Sequence, residues 1–205
     1  MESIPLIEQE LKNRLKRLCP RLVLASQSPN RRLTLEECGV EVITRPQDIW
    51  EICGLTNPPD VVTVLSKQKM ESYLSSKLFN PDIVAVAADT LVSLDGKLLG
   101  KPKDEKEARA MYSEMSGRWH DVFSGMSVYI PGRDGFVMVS DKSSVKFLDL
   151  SEEQIDWYIS TGDYMGAAGG YRIQRSGYKL IERIDGSFSN VIGIPLERLA
   201  EVLES

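Results

Sequence analysis

The chain has 205 residues, 42% of them hydrophobic and 27% charged, with a net charge of −5; that is the composition of an ordinary globular protein, and a chain this long buries about 70% of its unfolded surface without staples. The negative balance excludes a general nucleic-acid binder, whose affinity for phosphate backbones comes from clustered Lys and Arg, so an anionic substrate would need a local basic cluster or a metal. The single histidine, His120, excludes a multi-histidine zinc site, and three scattered cysteines, Cys19, Cys38 and Cys53, form no C-x-x-C pair and read as reduced thiols of a cytosolic protein.

No apolar run reaches about 18 residues, so no membrane span is expected. The N-terminal stretch lacks a signal-peptide hydrophobic region, and Glu2, Glu8 and Glu10 speak against a mitochondrial presequence, which makes the cytoplasm the expected location.

Residues 4–18 place Ile7, Leu11, Leu15 and Leu18 at helical spacing with Lys12, Arg14, Lys16 and Arg17 between them. This is an amphipathic helix, docked on the body or held for a membrane surface or partner. "RLVLA" reads as a buried strand, "NRRLTLEECG" as a helix closed by Gly39, and "VEVIT" as a second strand. A Pro- and Asn-rich loop over 46–59 precedes a long helix, "PDVVTVLSKQKMESYLSSK". "DIVAVAADTLVSL" is the most strand-like run, and residues 83–88, apolar on both faces, belong at the sheet centre. Asp95-Gly96 makes a two-residue hairpin turn into "KLLG".

"DEKEARAMYSEMSG" is a helix with Asp104 as cap, Glu107 three residues on and Gly117 at its end. Two long strands follow, near 119–130 and 136–148, then the capped helix "SEEQIDWYIST". Residues 162–177 hold five glycines, which predicts a flexible or closely approached loop. A strand near 179–184 and a helix over 195–204 complete the chain. Helices and strands alternate throughout, so the class is α/β with a mixed sheet. Residues 1–20 read as an N-terminal extension and 21–205 as one domain.

The corner "LASQSPNRR" carries the first functional signal. Ser28 stands where a helix N-cap belongs and Pro29 at the first helical position, which by itself is a structural cap. Arg31 and Arg32, however, put positive charge in the first turn, against the macrodipole, where an anion would make it tolerable. Backbone N–H groups, the hydroxyls of Ser26 and Ser28, and guanidinium groups together resemble a phosphate cradle.

Asp89 follows the apolar run "IVAVAA" and should emerge at a strand end, either as a turn residue or as the acid of a site. Thr90 is beside it, and "GKPKDEKEA" should return Lys101 and Lys103 nearby. "GKLLGKP" is one residue short of a P-loop and has Pro where Ser or Thr binds magnesium. Asp48 and Glu51 are loop carboxylates, solvated by default, and His120 reads as structural or surface before catalytic.

In this order and register, "LASQSPNRR", "DIWE", "LSKQK", "AADTLVSLDGKLLGKPKD", "MYSEMSGRWHDVFSG", "GGYRIQ" and "ERIDGSFSNVIGIPL" resemble the Maf family of nucleotide pyrophosphatases over residues 22–203. The resemblance implies an elongated mixed sheet flanked by helices, two lobes around a cleft, and hydrolysis of a nucleoside triphosphate between its α- and β-phosphates. Members need a divalent metal and commonly form homodimers. Asp89 matches the catalytic aspartate and Glu51 an acidic residue at the metal and catalytic site. Ser28, Arg31, Lys69 and Lys101 match positions holding the triphosphate, with Ser26 beside them. Thr90 and Gln174 match positions that sort substrates, and Thr with Gln marks the branch acting on dTTP and UTP. The alternatives are a purine-directed activity and a nucleotide-binding regulator of cell division with little turnover.

Two departures from the family pattern are visible. Asn30 replaces the first arginine of Ser-Pro-Arg-Arg, a position also linked to substrate choice, and "GAAG" at 166–169 replaces Asp-Lys-Ala-Gly. A triphosphate with about four negative charges needs local Lys, Arg and metal on this acidic chain. Mg²⁺ or Mn²⁺ suits Glu51 and Asp89, since both ions prefer carboxylate oxygen and water.

Overall fold

The structure, a computed structural model, describes residues 7–49 and 53–205. Helix α1 is Gln9–Leu18, and the first part of the expected 4–18 helix lies outside the described residues. It lays Leu15, fully buried, against the C-terminal helix α7, Leu196–Glu204, and Arg14 pairs with Glu204 across that contact. The amphipathic face therefore docks on the body.

The sheet begins with β1, Arg21–Leu24, which leads through α2, Pro29–Glu37, to β2, Glu41–Thr44. Helix α3, Pro58–Leu74, leads to β3, Ala85–Leu94, and the Asp95-Gly96 turn to β4, Lys97–Leu99. Both turn residues have positive φ, 49° and 82°, as a type I′ hairpin requires. Helix α4, Glu105–Met115, is capped by Asp104, and α5, Glu152–Ser160, by a reciprocal Ser151/Gln154 capping box. Between them run the long antiparallel strands β5, Trp119–Tyr129, and β6, Val137–Phe147.

The last strand is β7, Ile181–Asp185; the strand expected near 179–184 starts two residues later because residues 176–180 wind into a 3₁₀ turn. The glycine-rich loop is closely packed. Gly169 sits on Val92, its N–H donating to Gly100 O, and Gly170 O accepts from buried Tyr112. A short helix, α6, Phe188–Ile192, lies where no element was expected.

Strand order is β2-β1-β3-β5-β6-β7, with β4 on β3. β1 is parallel to β2 and β3, and the other pairs are antiparallel. The sheet is mixed and flanked by helices, and β3 is central. Two apolar clusters, around Leu22, Val86 and Leu199 and around Val23, Ala85 and Met70, cover opposite faces of its start. A third, around Val92, Tyr112, Phe147 and Tyr158, covers its end. Between them Asp89, Thr90 and Leu91 are only partly buried, so the cleft opens where the cores part. Among the described residues no helix is long and apolar enough to cross a membrane.

Helix α3 lies unusually close to the sheet. A Cβ on Gly125 would come within 2.3 Å of Val62 O and 2.7 Å of Thr63 N. These are backbone atoms that cannot swing aside. Val62, Ser66 and Lys69 follow at helical spacing on one face, so this contact, with the Ser66–Ser127 hydroxyl pair at 3.1 Å, sets the height at which Lys69 reaches β3. Gly125→Ala should destabilise the fold by about 1–3 kcal/mol through overpacking, read as a lower urea midpoint at unchanged slope. An unchanged midpoint would show that α3 does not need the missing side chain.

Candidate active site

Asp89 is paired with Gly125 in the β3–β5 register, directly beside the α3 contact. Lys69 Nζ donates to Asp89 Oδ1 at 2.5 Å, with the two side chains 12% and 13% exposed. Two opposite charges so largely withdrawn from water are sustained by their mutual attraction and hydrogen bond.

The corner between β1 and α2 folds as its sequence dictates. Ser28 Oγ accepts from Arg31 N, and Pro29 opens the helix. Ser26 Oγ accepts from Ser28 N at 3.2 Å and from Arg31 Nη1 at 2.9 Å. The Arg31 side chain turns beneath its own helix and is 9% exposed. It donates from Nη1 to Ala88 O at 2.8 Å, from Nε to Gly193 O at 2.7 Å and from Nη2 to Thr90 Oγ1 at 3.0 Å. Internal oxygens, rather than an external anion alone, make this first-turn cation tolerable. Arg32 points outward and meets Glu36 at 3.9 Å.

These groups line a cleft of about 470 Å³. Ser26, Ser28, Asn30, Arg31, Lys69, Asp89, Thr90, Lys101 and Gln174 all border it. Glu51 lies outside the described residues. Lys103 does not line the cleft, and its backbone N–H donates to Glu107 Oε2 at the start of α4.

Gly166 and Ala167 form part of the wall, so the missing charged pair falls in the cleft itself. Gln47, Asp48 and Arg172 also border it. Gln47 is clamped by Ser72 of α3 at 2.9 Å, and Arg172 donates to the carbonyls of Asp163 and Met165, holding the turn that leads into the wall. The signal for Arg172 was its place in "GGYRIQ"; nothing in the sequence distinguishes Gln47.

The donor set fits a divalent cation of the Mg²⁺ or Mn²⁺ type. Asp89 and exposed Asp48 offer carboxylate oxygen to one cleft, while no group of three or more His, Cys, Asp or Glu occurs among the described residues. That is no all-protein cage. Mg²⁺ takes one or two carboxylates and completes its shell with water and substrate phosphates.

His120 stands behind the wall. It is 2% exposed, its Nε2 lies 2.8 Å from the hydroxyl of cleft-lining Tyr171, and its ring meets Phe147 and Tyr171 edge-on. Burial lowers its pKa from 6.5 to about 4, the Asp121 charge acting weakly the other way. Burial also pushes the Tyr171 phenol up, so the pair is neutral near pH 7 and packs the wall.

Below pH 6.5 the unfolded chain takes up a proton on His120 that the folded chain refuses until about pH 4. Stability should fall over that window as pH is lowered, on the order of 3 kcal/mol in all. His120→Phe should lose less stability than the parent between pH 7 and 5 in urea titrations. Equal losses would contradict a buried neutral imidazole.

Comparison with known proteins gives a consistent set. Residues 21–205 match the family of Maf-like proteins. A dTTP/UTP pyrophosphatase of Agathobacter rectalis is 40% identical over 195 residues, 89% of this chain and 95% of the relative. One from Methylobacillus flagellatus is 41% identical over 186 residues, covering 90% and 92%. One from Pyrococcus furiosus is 38% identical over 184 residues, covering 90% and 94%.

Proposed function

Because the chain belongs to the family of Maf-like proteins, we propose that it hydrolyses dTTP and UTP to the monophosphate and pyrophosphate in this cleft. The observation that carries the residue-level reading is the Lys69–Asp89 pair at the gap between the cores, lining one cleft with the Ser26–Ser28 corner.

Lys69 engages Asp89 Oδ1, so Oδ2 is the oxygen that takes a proton from the attacking water. Water adds to the α-phosphorus, the bond to the α,β-bridging oxygen breaks, and pyrophosphate leaves with the electron pair. Little covalent work falls to the protein, since positioning and charge neutralisation dominate such transfers. A divalent cation bound with the nucleotide supplies positive charge against the phosphate oxygens; Asp89, Asp48 and Glu51 are the carboxylates that would hold it.

Lys101 and Lys69 bring cations to the triphosphate. Ser26 accepts two hydrogen bonds, which leaves its O–H to donate to a phosphate oxygen. Arg31 shapes the floor through its internal acceptors. Gln174 offers one donor and one acceptor, matching the adjacent carbonyl and imide N–H of uracil or thymine, while cytosine would leave a contact unmade. Asn30 is shorter than arginine and uncharged, which loosens grip at that corner.

Pyrophosphate release from a nucleotide panel, with and without Mg²⁺, tests the reading. Release from dTTP and UTP, dependent on the metal, is expected; binding without release would mark a regulator, and preference for GTP would move the base assignment. Asp89→Asn should abolish release yet retain nucleotide binding, and turnover within a few-fold of the parent would remove Asp89 from its role. Lys101→Ala should lower kcat/KM by about 10²–10³, the usual loss for one transition-state charge partner. Gln174→Glu should damage dTTP and UTP hydrolysis more than that of other nucleotides.

A further inference from the structure

Ser124 is fully buried on β5, paired with Thr90 across the sheet. Its Oγ donates to Asn190 O at 3.0 Å. A carbonyl only accepts, so the one proton of Ser124 is committed there. Thr90 Oγ1 lies 3.0 Å from Ser124 Oγ and 3.4 Å from Gly193 O. Thr90 accepts from Arg31 Nη2 at 3.0 Å, and either hydroxyl can donate across the Thr90–Ser124 contact. With Ser124 donating to Asn190 O, Thr90 donates to Ser124, and the order runs from Arg31 to Thr90 to Ser124 to Asn190 O.

Both ends of the chain of hydrogen bonds are anchored. Asn190, fully buried in α6, donates from its amide to Val122 O and to Ser143 Oγ, each at 3.0 Å. Gly193, at the end of the same helix with φ 105°, accepts from Arg31 Nε. A Cβ there would fall 2.7 Å from Thr90 Oγ1 and 3.4 Å from Arg31 Nε. Helix α6 thus holds the guanidinium directly and through two hydroxyls.

We propose that Ser124 is a positioning residue for nucleotide selection: it draws the Thr90 proton inward, so that Thr90 has no donor for the nucleotide and Arg31 keeps one orientation under the cleft floor. This rests on the hydrolase reading above. With the Ser124 hydroxyl removed, Thr90 is free to turn its proton toward Gly193 O or a bound nucleotide, and Arg31 loses a fixed acceptor. Fixed donors and acceptors are what allow a site to reject a wrong partner.

The test is a double-mutant cycle of Ser124→Ala and Thr90→Val, with kcat and KM measured separately for UTP, dTTP, CTP and GTP. It is accompanied by the hydrogen-exchange rate of the Arg31 Nε–H in ¹⁵N-labelled protein. Ser124→Ala should lower kcat/KM for UTP and dTTP about tenfold, narrow their lead over CTP and GTP, and speed Nε–H exchange at least tenfold below the unfolding transition. In the Thr90→Val background it should change kcat/KM less than twofold, because the relay is already broken. The proposal is overturned if Ser124→Ala stays within twofold of the parent, if its full loss recurs in Thr90→Val, or if Nε–H exchange does not change. A parent that releases no pyrophosphate defeats the hydrolase reading instead, and the exchange rate alone then decides the role of Ser124.

Discussion

The buried guanidinium of Arg31 is the constraint around which the cleft floor is organised. A cation withdrawn from water costs several kcal/mol unless its donors are met, and here a serine hydroxyl, a threonine hydroxyl and two backbone carbonyls meet them. Those acceptors come from the end of β1, the middle of β3 and the end of α6, so satisfying one side chain ties three distant segments together. A planar fork can reach acceptors in several directions at once; a lysine ammonium at this position could not hold the same set.

The second organising feature is the break in the core. β3 is buried at both ends and partly open at Asp89, Thr90 and Leu91, and that break lets water and a polyanion reach a strand that is otherwise central. Gly125 brings α3 down beside it, and α3 brings Lys69. The charged pair at the centre of the proposed chemistry thus depends on a missing side chain on the neighbouring strand.

Much of this was legible in the sequence. The Ser28-Pro29 cap, the doubly apolar run that makes β3 central, and the Asp95-Gly96 turn are local signals with one physical meaning each, and the motifs marked nine residues that border one cleft. What was not legible depends on tertiary contact. "FSNVI" is too short to show helical periodicity, and α6 exists because Asn190 and Gly193 are held from outside. The strand expected near 179–184 is present as β7 but starts two residues later, because residues 176–180 wind into a 3₁₀ turn. Arg31 read as a cation waiting for an anion, since its reach to Gly193, 162 positions further on, cannot be seen along the chain. Ser124 is one serine among many until the register pairs it with Thr90.

The proposed hydrolysis turns on attack of water on the α-phosphorus in this cleft. Hydrolysis of UTP in ¹⁸O-labelled water, followed by mass spectrometry of both products, tests it most directly. One labelled oxygen is expected in the monophosphate and none in pyrophosphate. Label in pyrophosphate, or release of orthophosphate in place of pyrophosphate, would contradict it.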